Sequence, residues 1–149
     1  MKKCVPFLLG FIPLICGWII NYLLLTRLGS IGPLWLSVSI VLLFLWGYLG
    51  YRTKKYDRKP FSRAVNLNAV SLIMLILVFV QELILGQYWP NLLGYSSQFN
   101  FLPCMTLTMW LESFFLDTLY PWLDCLLSFL LMFAASWIGC SLAKNKRKR

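Results

Sequence analysis

The chain contains no histidine. That removes both the commonest general base and the commonest metal ligand. Charge is scarce: 13% of the 149 residues are charged, and only five of them are acidic. The five cysteines, Cys4, Cys16, Cys104, Cys125 and Cys140, show no C-x-x-C spacing, which leaves no zinc or thioredoxin-like reading. No glycine-rich phosphate loop and no nucleophile–base motif stands out. A small-residue cleavage site is also missing after Met1-Lys2-Lys3 and the apolar run that follows, so the start reads as an uncleaved first helix. Cys16 follows Ile15, a residue too large for a lipoprotein processing site.

Hydrophobic residues, in contrast, make up 60% of the chain, and the mean hydropathy is +0.73. A soluble domain of this size is about 45–50% apolar, and a small domain cannot hide such an excess in its core. Lipid is the alternative solvent. The expected fold class is therefore all-α: a polytopic transmembrane bundle of four spanning helices with an outer interfacial or re-entrant helix, forming one domain. The apolar runs place the spans at about 5–25, 34–51, 64–85 and 121–142, each near the length needed to cross a hydrocarbon core of about 30 Å. Residues 86–100 read as loop, because Gly86, Pro90, Asn91, Gly94, Ser96 and Ser97 favour turns.

Orientation follows from the basic residues. Two lie at the N-terminus (Lys2, Lys3), six in the loop 52–63 and five in the tail 143–149; Arg27 is the remaining one. Basic residues stay on the cytoplasmic side, so all three clusters must share a side, and an even number of spans must separate them. Residues 101–116 are apolar enough to enter a membrane, but a full crossing would export the five-charge tail. They are therefore expected as an interfacial or re-entrant helix within an outer segment, 86–120. The N-terminus, the basic loop and the tail are cytoplasmic in this scheme, and the membrane is the plasma membrane. The net charge of +9 flanks the apolar runs. It suits anionic lipid headgroups at the loop and tail, not nucleic acid. The outer face carries Tyr88, Trp89, Tyr95, Trp110, Tyr120 and Trp122, an interfacial aromatic belt.

Helical spacing then sorts the candidate residues. At about 100° per residue, Pro6, Gly10, Pro13, Gly17 and Asn21 form one small, polar face on the first span. On the last span Asp124, Ser128, Ala135 and Gly139 do the same. Gly10, Gly17, Ala135 and Gly139 read as helix-packing positions, because small residues let membrane helices approach closely, and Pro13 should kink its helix. In the third span Asn68, Ser71 and Glu82 share a face that should point inward, since polar groups face lipid only at a cost. Glu82 lies near the helix C-terminus, the unfavourable end for a carboxylate. It should pair with Arg27, snorkel to water, or handle protons or cations together with Asn68, Ser71 and Asn21. Glu112 reads as an acid at the water interface, and Asp117 as a cap or, less simply, one half of a dyad with Asp124. Cys104 and Cys125 fall on the outer side, where a disulfide is chemically possible, unless both are buried as small hydrophobes.

No cofactor and no metal is expected. The leading reading is a non-catalytic accessory or assembly protein that partners itself or another membrane protein. An oligomeric cation- or proton-coupled transporter or channel is the alternative, and an intramembrane enzyme the third.

Overall fold

A computed structural model describes residues 5–28, 32–53, 59–115, 118 and 120–143; at 27, 28, 32 and 33 only the backbone is described. Most of the described residues are helical, with no strand among them. Four helical stretches, Val5–Thr26, Leu34–Arg52, Pro60–Ile84 and Pro121–Leu142, are long and apolar enough to cross a membrane. The chain is an all-α helix bundle of the membrane-protein kind.

The first stretch is broken. Helix α1 (Val5–Leu9) stops at Gly10, and α2 (Ile12–Leu23) begins with Pro13 in its first turn. Proline has no N–H to give the carbonyl of residue i−4, and its ring clashes there. The kink expected at Pro13 is thus present, as a turn at Gly10 and Phe11 between α1 and α2. A π-helical turn, Leu24–Leu28, continues α2. Helix α3 (Gly32–Arg52) follows. Helix α4 (Pro60–Phe79) starts with proline at its first position, where the missing N–H is harmless. This start draws Arg63 out of the basic loop in which the sequence places it. It is 2% exposed and its Nη2 donates to the Cys140 carbonyl at 2.7 Å. A guanidinium there caps the negative end of α7 (Pro121–Leu142).

Side-chain contacts give the helix directions. On α3 and α7, Trp46 shares a core cluster with Met132, and Thr53 meets Cys140. The two helices therefore run parallel and end on the same side. Helix α4 runs against them, with Arg63 at Cys140 and Asn68 at Ser136. The backbones of α3 and α7 nearly touch. A Cβ built on Gly139 would lie 1.9 Å from the Gly47 carbonyl, and one on Gly50 2.4 Å from that of Ser136. Gly47 and Gly50 thus join the expected Gly139 as the small surfaces of this interface, with Ala135 opposite Gly47.

A helical hairpin fills the half of the bundle away from Arg52 and Arg63. The turn residues predict a loop over 86–100, yet α5 (Leu92–Phe99) is a helix. Asn91 accounts for it: its side-chain oxygen accepts the Gly94 N–H at 2.9 Å, an N-cap that turn-rich composition conceals. After a short corner, α6 (Leu102–Glu112) returns. Cys104 packs with Trp46, Leu67 and Met132, and the Thr108 hydroxyl lies 3.3 Å from that of Ser128. Helix α6 therefore starts at mid-bundle depth and climbs antiparallel to α7, as a re-entrant element does. Its corner is roofed by α2, where a Cβ on Gly17 would lie 1.7 Å from the Phe99 carbonyl. Cys104 and Cys125 are both buried and free, in different core clusters. The possible disulfide is not formed, because α6 carries Cys104 a full two turns deeper than Cys125.

Candidate functional site

Two polar constellations are buried between the helices. The first is structural. Asn68, at 1% exposure, donates through Nδ2 to the Ala64 carbonyl and the Ser136 hydroxyl, and its Oδ1 accepts from Trp46 Nε1 at 3.0 Å. One side chain thereby ties α3, α4 and α7 together with its main hydrogen-bonding groups used. Ser71, on the same face, is also fully buried.

Glu82 does not join them. A π-helical turn, Val80–Ile84, ends the α4 stretch and breaks the 100° spacing on which that shared face rests. Gln81 takes the interior position instead. It is 0% exposed, donates to the Leu77 carbonyl and the Ser97 hydroxyl, and accepts the Trp89 N–H. Glu82 is half-buried and accepts from the Tyr88 hydroxyl. That bond, with burial as the larger cause, pushes the Tyr88 phenol well above its ordinary value. The Arg27 side chain and Asp117 lie outside the described residues, so neither the Glu82–Arg27 pair nor the Asp117–Asp124 dyad finds geometry here. Asn21 is half-buried on α2, and no described contact brings it to Asn68 or Glu82.

The second constellation is the candidate site. Glu112 ends α6 and Asp124 sits in the first turn of α7, and the antiparallel packing of these helices brings the two carboxyls together. Glu112 is 3% exposed and Asp124 2%. The expectation that Glu112 sits at a water interface is therefore wrong. Its own helix packs it against α7, which covers the side chain. As two carboxylates, the pair would leave both Glu112 oxygens and Asp124 Oδ1 buried with no hydrogen bond. The Tyr120 N–H and the Thr108 hydroxyl approach them but do not satisfy them. A proton on one acid removes the conflict, because the protonated member then donates to the other. Helix ends decide which. Glu112 lies at the negative end of α6 and Asp124 at the positive end of α7. Burial first, and the Asp124 carboxylate second, raise the Glu112 carboxyl above its ordinary value. The arrangement holds one proton between two acids, with no cation beside it among the described residues. No three His, Cys, Asp or Glu side chains among those residues converge to hold a metal ion.

The sequence gives little notice of this pair. Twelve residues and a chain reversal separate its members, so no periodicity links them. No family model, no curated protein and no solved structure matches this chain.

Proposed function

We propose that this chain is a non-catalytic accessory or assembly protein of the plasma membrane, with both termini and the basic loop on the cytoplasmic side. One observation carries the reading. The buried polar groups of the bundle centre hold its own helices together, as in the Asn68–Trp46–Ser136 network. Large apolar side chains, Phe44 at 77% exposure among them, cover the outside. Such an outside suits lipid and the apolar faces of other membrane helices. The parallel course of α3 and α7 supports the orientation, since it carries the basic loop and the tail toward one side, as the positive-inside rule requires. Reporter fusions within 54–58 and after Arg149 are expected to report cytoplasm, and a fusion in the Gln87–Trp89 turn the exterior. An exterior tail would overturn this topology.

A second reading rests on the Glu112–Asp124 pair. A shared intramembrane proton is what a proton-coupled transporter or channel uses, and four helices would need a second copy to enclose a pathway. Reconstitution into vesicles under an imposed pH gradient separates the two. For an accessory protein, the wild type and Glu112→Gln dissipate the gradient equally slowly. Fast dissipation by the wild type that Glu112→Gln abolishes would replace the accessory reading with transport.

A further inference from the structure

Between α3 and α7, on their basic side, a groove of about 520 Å³ opens on the lipid-facing surface. Its floor is Gly47, Ala135 and Gly139, where the two backbones come closest and no side chain fills the gap. Its walls include Phe44 and Ile138, and Tyr48 lines the end nearest Arg52. The volume lies within the range of pockets that enclose small ligands, and the lining is almost wholly apolar. At its mouth the exposed Arg52 guanidinium lies 5.8 Å from the centre of the Tyr48 ring.

We propose that this groove is a binding site for an anionic phospholipid, one acyl chain lying along the Gly47–Gly139 floor and the phosphate meeting Arg52. Apolar walls alone would fit any hydrocarbon. The choice of occupant comes from the mouth. A cation held over an aromatic ring, at the end of α3 where the basic loop 52–63 begins in the sequence, complements a negative headgroup. Arginine also offers phosphate a bidentate fork. The parallel packing of α3 and α7 keeps groove and guanidinium in register, so chain and headgroup can be held at once. The site would serve an accessory protein and a transporter alike.

The test uses the full chain, purified in a mild detergent and titrated under native mass spectrometry with dioleoyl-phosphatidylglycerol and dioleoyl-phosphatidylcholine. The wild type is expected to retain one phosphatidylglycerol about fivefold more tightly than phosphatidylcholine, the ratio that about 1 kcal/mol for one interfacial charge gives. Arg52→Gln should bring the ratio near one and leave phosphatidylcholine binding in place. Ala135→Phe, which fills the floor, should weaken both lipids. Ile138→Trp should do the same from a wall position that is 59% exposed, where folding is not at stake. Equal retention of the two lipids by the wild type would overturn the proposal. So would a preference that survives Arg52→Gln, or binding unchanged in both groove variants. A doubled mass that Ile138→Trp abolishes and lipid does not affect would assign the groove to a second copy of the chain instead.

Discussion

Substituting alanine at four glycines should destabilise the protein in the order Gly17, Gly139, Gly10, Gly47, from most to least damaging. The order follows from what an added Cβ meets. It would lie 1.7 Å from the Phe99 carbonyl at Gly17, 1.9 Å from the Gly47 carbonyl at Gly139, 2.8 Å from the Leu67 carbonyl at Gly10 and 3.3 Å from the Ala135 carbonyl at Gly47. Every one of these neighbours is backbone, so no side chain can swing aside. At the first two positions whole helices must part, and an overpacked core costs about 1–3 kcal/mol, occasionally more. Gly17→Ala and Gly139→Ala should reach the upper end of that range, and Gly17→Leu should abolish the folded yield in detergent. Gly47→Ala asks for a few tenths of an ångström and should cost less than about 1 kcal/mol. Thermal melts of the four variants in one detergent give the ranking. Wild-type melting of Gly17→Ala would mean that α2 does not lie on the α5–α6 corner.

The carboxyl pair makes stability depend on pH, with a definite sign. Glu112 is raised above its ordinary value in the fold. The folded state therefore keeps a proton that the unfolded chain has already released, and between the two values it binds more protons than the unfolded state. Stability is then fully present below the unfolded value, near 4.5, and is lost as pH rises through the folded value. Each unit of separation corresponds to about 1.4 kcal/mol. The midpoint of unfolding, followed from mildly acid to neutral pH, should fall as pH increases. Glu112→Gln should flatten the profile and be at least as stable as the wild type at neutral pH, because its amide donates to Asp124 without needing a proton. Asp124→Asn should leave a weaker dependence, since burial, the larger cause, persists. A flat wild-type profile, or one unchanged in Glu112→Gln, would show that the two acids do not share a proton.

Local chemistry explains which features were legible beforehand. The kink at Pro13, the small faces of α1–α2 and α7, and the inward side of Asn68 and Ser71 all depend on residues within a few turns of one helix. Steady 100° spacing exposes them. Glu82 departs from its expected face for the same reason in reverse: the π-helical turn Val80–Ile84 breaks that spacing, and Gln81 takes the inside position beneath α5. The glycine and serines of α5 favour turns in the sequence, yet one Asn91 cap and the cover of neighbouring helices are enough to make the segment helical.

By itself, the sequence determined that this is a bundle of four helices long and apolar enough to cross a membrane, with every basic residue but Arg27 gathered at the ends and in one loop. Those properties follow from the composition of contiguous runs and from the cost of placing charge in hydrocarbon. Only the tertiary structure decided which polar groups meet. The union of Glu112 with Asp124, the burial of Arg63 against the Cys140 carbonyl in the last turn of α7, and the groove over Gly47 and Gly139 each need two helices at one depth and one rotation. That register is set by where backbones approach within contact of glycine, and no repeat along the chain records it.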